Sequence, residues 1–193
     1  GVDISYHKEN LKEKLAEIAW EICKSDSWQK VNMRLVAKKA GVSTSATYRH
    51  YNNKNDLKAE VLRKGFQFLN EGMKGFQTSD ANFASYGAHY IRFGLEYPHI
   101  YDLMFGNIDI DMTLYPDLKA VSNASFDGLV EGVRAFIPNK SRKEILIKAH
   151  NVWASVHGIV GILRRSEWQG SETETTEWIK GNIEDYLKMT TFS

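Results

Sequence analysis

This chain of 193 residues has one cysteine, three prolines and little else that would staple or interrupt a helical protein. A lone Cys23 leaves no internal disulfide and suits a reducing compartment. No apolar run reaches the roughly 20 residues needed to cross a bilayer, so no membrane span is expected. The opening, Gly1 to Asn10, is polar and lacks a leading Met, which predicts a trimmed start and no secretory signal. The short signatures of catalysis are missing too. There is no Gly-x-Ser-x-Gly, no glycine loop to cradle phosphate, no His-Glu-x-x-His and no cysteine pair. Together these absences predict a cytoplasmic protein that is not an enzyme and needs no cofactor or metal.

What is present is apolar, aromatic and unevenly charged. With 42% hydrophobic and 12% aromatic residues, the chain can build one fair-sized core, or a small module joined to a larger one. Its net charge of +1 conceals a patch. Between Lys30 and Lys58, seven basic residues (Lys30, Arg34, Lys38, Lys39, Arg49, Lys54 and Lys58) face the single carboxylate of Asp56. From Val61 onward, 14 basic residues are outweighed by 16 acidic ones. A compact basic patch on a near-neutral protein suits a polyanionic partner, although a solvated charged face gives the same count.

Helical spacing runs throughout, and no stretch alternates as a strand would. Leu11, Leu15, Ile18, Ala19 and Ile22 form one stripe, with Glu13, Glu17 and Glu21 off it. Asn32 is placed to cap a short helix, Met33 to Ala40, which Gly41 ends. Ser43 caps the next short helix, and Asn53 a long one carrying Leu57, Val61, Leu62, Leu69 and the pair Phe66 and Phe68. Asp80 opens a helix to about Tyr97, and Pro98 starts "PHIYDLMF". Another helix runs from Pro116 to about Phe136. Capping boxes at Ser141 with Glu144 and Ser171 with Glu174 open helices reaching about Ser166 and Met189. The expectation is an all-α chain of about nine helices. Residues 1–55 form a small basic module, and residues 56–193 a larger, aromatic-rich helical bundle.

The stretch "GVSTSATYRHY", residues 41 to 51, is the most informative. Two short helices joined at a glycine turn have the shape of a helix-turn-helix. Ala37 lies where the helices touch, Val42 plugs the turn, and Val36, Ala40 and Thr47 fill the inside. Thr44, Ser45, Ala46, Arg49 and His50 are left facing outward. An eight-residue helix, roughly 12 Å long, would fit a major groove about 12 Å wide. Tyr48 and Lys54 flank it as phosphate holders, and Arg34 can reach a base from the preceding helix. The alternatives are a connecting helix pair and, for Arg34, a plain surface arginine.

On these residues, "RLVAKKAGVSTSATYRHYNNKNDL" resembles the signature of the TetR family of bacterial transcriptional regulators. The family pattern stands here as Val36-Ala37, Ala40-Gly41-Val42-Ser43, Tyr48-Arg49-His50-Tyr51, Lys54 and Leu57. Thr47 replaces the family's usual buried Leu. Met33 replaces a Thr or Ser that commonly touches phosphate, so no DNA contact carries over to it. "YPHIYDLMF" and "WASVHGIVGIL" resemble a C-terminal domain marked by Trp-x-x-x-His-Gly, here Trp153, His157 and Gly158. The resemblance implies that residues 1–55 are a helix-turn-helix DNA-binding domain and residues 56–193 a helical ligand-binding and dimerisation bundle, in a bacterial, nucleoid-associated homodimer paired through its last two helices. It also implies a pseudo-palindromic double-stranded operator and a small effector that shifts the dimer out of DNA register, most often in repression. The competing reading is a helical dimeric scaffold or small-molecule binder with a vestigial DNA module.

Candidate effector contacts are Phe83, Tyr86, Tyr90, Phe126, Trp153 and His157, which suit a small, mostly apolar or aromatic molecule. Core packing alone also explains the aromatics, and a core or dimer-face position explains His157. His150, Trp153 and His157 share one helix face, but the histidines lie about 10 Å apart along the axis, too far for one ion. Asp109 and Asp111 read as solvated loop carboxylates, and Cys23 as a buried, inert thiol. Dimerisation is expected to use Ile145, Leu146, Val152, Val156, Ile159, Val160 and Leu163 with Trp178, Ile179, Ile183 and Leu187.

Overall fold

The computed structural model describes residues 4–74, 80–106, 109–165 and 171–192, all of them helix, turn or coil. The helices are α1 (Ile4–Ser25), α2 (Met33–Ala40), α3 (Thr44–His50), α4 (Lys54–Met73), α5 (Asp80–Glu96), α6 (Pro98–Phe105), α7 (Pro116–Phe136), α8 (Arg142–Leu163), α9 (Ser171–Gly181) and α10 (Ile183–Met189). Single 3-10 turns stand at Trp28–Lys30 and Met112–Leu114. The chain divides into two compact units, Gly1–Phe68 with Tyr97–Ser122 and Leu69–Glu96 with Asn123–Ser193.

In the first unit α1 packs against α2, α3 and α6. Its buried side chains are Leu15, Ala16, Ala19, Trp20 and Cys23, while Leu11, Ile18 and Ile22 are half-buried at the margin. The buried stripe is therefore turned from the expected one, because α1 serves several neighbours and uses Trp20, whose ring meets Phe68 at 5.9 Å. Leu57, Val61, Leu62 and Phe66 carry the buried side of α4. Phe68 is 45% exposed and stands edge-on to Tyr97. Gly65 lets α6 come close: a Cβ there would lie 2.6 Å from the Met104 sulfur. Lys64 binds Glu13 at 2.7 Å and Glu17 at 3.3 Å, tying α4 to α1.

In the second unit α5 packs on α8 and α10. Phe83 stacks on Phe192 at 4.4 Å and meets Phe136 at 5.6 Å. Ser85 donates to Glu184 at 3.1 Å, and Ser125 to Asn70. The expected box at Ser141 and Glu144 is complete in both directions. The expected Asp80 cap and the box at Ser171 fall on side chains outside those described.

The structure corrects four expectations. There are ten helices among the described residues, because the last predicted helix breaks at Asn182. There Gly181 gives no side-chain support, and the Asn182 amide donates to the Trp178 carbonyl at 2.8 Å. The helix expected to reach Ser166 ends at Leu163. α8 is, by length and composition alone, long enough and apolar enough to cross a membrane, although no such run was expected. Its apolar residues have another use: Ile145, Val152, Val156, Ile159, Val160 and Leu163 are buried in its own unit, as are Ile179, Ile183 and Leu187. These cannot form the dimer face they were assigned to. The large apolar side chains left exposed on α8 and α9 are Ile147, Trp153, Ile162 and Trp178.

Candidate nucleic-acid interface

Local chemistry sets the geometry of α2 and α3. The Asn32 side chain accepts from the Leu35 N–H at 2.8 Å, satisfying a free donor at the start of α2. Gly41 ends α2 at φ +72°, a left-handed conformation that L side chains seldom adopt. Its N–H bonds Lys38 O at 3.1 Å, and Val42 N–H bonds Ala37 O at 3.0 Å, the paired bonds of a Schellman end. Ser43 then caps α3 by accepting from Ala46 N–H at 3.2 Å. Val36, Ala37, Ala40 and Thr47 are buried where the helices meet. Met33 is buried as well.

α3 has seven residues, one fewer than expected, and so is about 10 Å long. Ser45, Tyr48 and Arg49 are exposed, while Thr44, Ala46 and His50 are half-buried. Thr47 alone is fully buried, so the helix has one inner position and a broad outer face of short or polar side chains. Arg34 is exposed on α2. The exit is fixed by Tyr51, only 2% exposed, whose hydroxyl donates to Lys12 O at 2.9 Å. Burial pushes its phenol well above the ordinary tyrosine range.

Lys54 stands on the first turn of α4, its Nζ 5.1 Å from the centre of the Trp28 ring. Its pKa is lowered, first by burial and then by Lys58. An anion beside it would relieve both effects, since each disfavours the charged form. Trp28 escaped the sequence reading. The available signal was an aromatic residue in the otherwise polar turn "KSDSWQKVN". Cys23 is buried, with its thiol pushed up to about 12 chiefly by burial.

The second set of candidates divides. Trp153 Nε1 donates to the Tyr90 hydroxyl at 3.3 Å, and the Phe126 ring lies 6.1 Å from Trp153. The imidazole on Phe126, at 5.0 Å, is His150, and His157 is exposed further along α8. Tyr86 is buried, and its phenol is pushed up to about 12 by burial and then by Tyr90. Phe83 belongs to the Phe136 and Phe192 stack and meets Tyr86 at 6.1 Å. Tyr90, Phe126 and Trp153 are thus brought together, with His150 against the Phe126 ring.

Two family models match the sequence. "Bacterial regulatory proteins, tetR family" covers residues 17–61, and "Tetracyclin repressor-like, C-terminal domain" covers residues 83–180, just over half the chain. The chain belongs to the TetR family. TetR-family regulators bind operator DNA, form dimers and respond to small-molecule effectors, and this protein is accordingly a DNA-binding transcriptional regulator. Such regulators are soluble cytoplasmic proteins and typically not enzymes.

Solved structures share the fold. A Rhodococcus sp. RHA1 protein of unknown function superposes with a TM-score of 0.71 at 20% identity, over 95% of this chain and 98% of that one. A TetR transcriptional regulator from the same organism gives 0.60 at 20%, over 93% and 96%. The ketosteroid transcriptional regulator KstR2 of Mycobacterium tuberculosis gives 0.54 at 12%, over 91% and 93%. No curated protein matches the sequence.

Proposed function

We propose that this TetR-family protein is a ligand-responsive repressor that binds a pseudo-palindromic operator as a homodimer. The observation that carries the reading is the outer face of α3, short and polar between a structural turn and the Lys54 cation. Thr44, Ser45, Ala46, Arg49 and His50 meet base edges, with Arg34 reaching in from α2. Tyr48 and Lys54 hold phosphates and set register. Residues 1–55 act as the reading domain and residues 56–193 as the effector and dimer domain, of the Trp-x-x-x-His-Gly type at Trp153, His157 and Gly158. The protein works on the nucleoid.

Pairing uses α8 with the last helices, α9 and α10. Ile147, Ile162 and Trp178 are exposed on α8 and α9, and a Cβ at Gly158 or Gly161 would meet nothing within 4 Å. A second copy of the same surface would cover them with two-fold symmetry. The effector is small and apolar or aromatic. Tyr90, Phe126 and Trp153 support this, joined in the reading by Phe83, Tyr86 and His157. Effector binding lowers operator affinity by about 5- to 150-fold, a typical coupling, and operator lowers effector affinity by the same factor.

The test is selection from a random duplex library, followed by sedimentation of the selected complex. The reading expects an inverted repeat holding two chains. No enrichment, or a lone chain on its DNA, would favour the scaffold reading instead.

A further inference from the structure

Asp56 is the single carboxylate between Lys30 and Lys58, where every other charged residue is basic. Anionic charge beside a DNA-binding helix repels phosphate, so its presence requires a use. Both its oxygens are engaged. Oδ2 accepts from the Asn52 N–H at 3.1 Å, within the loop that joins α3 to α4. Oδ1 accepts from the Tyr115 hydroxyl at 2.7 Å, across 59 positions of sequence. The Asp56 N–H in turn donates to Asn53 Oδ1 at 2.9 Å, capping α4.

Tyr115 is held in its own right. It closes the 3-10 turn Met112–Leu114, its N–H bonding Met112 O at 3.1 Å, and α7 begins at the next residue. That turn is braced by Asp111, which accepts from the Thr113 N–H at 3.0 Å and from its hydroxyl at 2.6 Å. The Tyr115 phenol is pushed up to about 12, by burial and then by the carboxylate it bonds. It therefore stays a donor throughout the working pH range.

We infer that Tyr115 is a positioning residue for DNA binding: by holding Asp56 it fixes the loop at residues 52–53, and so the setting of α3 and Lys54. The loop is short. Tyr51 anchors its entry through Lys12, and Asp56 anchors its exit. Without the Tyr115 bond, the remaining hydrogen bonds of Asp56 among the described residues lie within residues 52–56, and the start of α4 loses this tie to the start of α7. The inference rests on the reading of α3 as the element that meets base edges.

The experiment measures fluorescence anisotropy with two duplexes of equal length, one selected by the wild-type protein and one of random sequence. Tyr115→Phe keeps the ring and removes the hydroxyl. It is expected to lower affinity for the selected duplex about tenfold, near the low end for a hydrogen bond to a charged group. Affinity for the random duplex, and its salt slope, should stay as in wild type, since no phosphate contact is removed. In an Asp56→Ala background the same change should cost almost nothing. Equal losses on both duplexes, no loss on either, or an undiminished cost in the Asp56→Ala background would overturn the inference. If Asp56→Ala does not fold, the ratio between the two duplexes for Tyr115→Phe decides alone. Ser45→Asn in the same assay separates the two failures. If it leaves the selected duplex's advantage intact, α3 is not the reading element and the functional reading fails. If it abolishes the advantage while Tyr115→Phe does nothing, only the positioning role fails.

Discussion

Replacing Thr47 with valine should make the DNA-binding unit more stable. Thr47 is completely buried between α2 and α3, and its hydroxyl has no hydrogen-bond partner among the described residues. An unsatisfied buried hydroxyl costs about 1–3 kcal/mol. Valine places a methyl in nearly the same volume, and its helix propensity is close to that of threonine. The lower end, about 1 kcal/mol, is the expected gain, because a helical threonine hydroxyl can turn toward the carbonyl four residues earlier. In a chain of this size that corresponds to about 2–4 °C in Tm. Urea unfolding followed by tryptophan fluorescence gives the midpoint, and an unchanged m-value would confirm that stability alone has moved. Thr47→Ala is the control: it also removes the hydroxyl but leaves a void, so it should gain less than valine or lose stability. A valine variant less stable than wild type would mean that the hydroxyl is satisfied, and would refute the reasoning.

Lys54→Ala should weaken binding to every duplex alike and flatten the salt slope by about one unit, measured by anisotropy across a salt series. Trp28→Leu should lower affinity a few-fold with the slope unchanged, since the charge remains but its aromatic seat is lost; the same salt series reports it. His89 lies against Gly72 with Nε2 buried and unpartnered among the described residues, and its pKa is lowered by burial and then by Arg92. The unfolded chain then binds the proton more readily, so stability should fall as pH drops below the ordinary histidine value of 6.5, until the lower folded-state pKa is passed. Denaturation midpoints between pH 7.5 and 5, roughly spanning that window, should show a slope that His89→Gln reduces.

Helix ends were legible in the sequence wherever a cap acts locally. Asn32, Gly41, Ser43, Asn53 and the Ser141–Glu144 box each bond within a few residues, and each stands where the sequence put it. The break at Asn182 was not legible, because Trp178, Ile179, Ile183 and Leu187 continue a helical rhythm across it. Nor does rhythm say which apolar positions of α8 their own chain will cover: Ile145 and Ile147 differ by two positions, yet one is buried and the other 60% exposed. Among the aromatics, the sequence placed Trp153 and His157 on one face but not the partner each would find. Trp28 and Tyr115 went unnoticed because each sits in a turn, where only tertiary contacts give it work. The clue to Tyr115 was an isolated acid in a basic stretch, which is informative only once its partner is known.

The central claim is that the outer face of α3 reads sequence, and parallel selection tests it most directly. Wild-type protein and Ser45→Asn are each taken through the same random duplex library. The account predicts two inverted repeats with the same half-site spacing, differing in the bases at one or two symmetry-related positions. Identical selected sequences would contradict it.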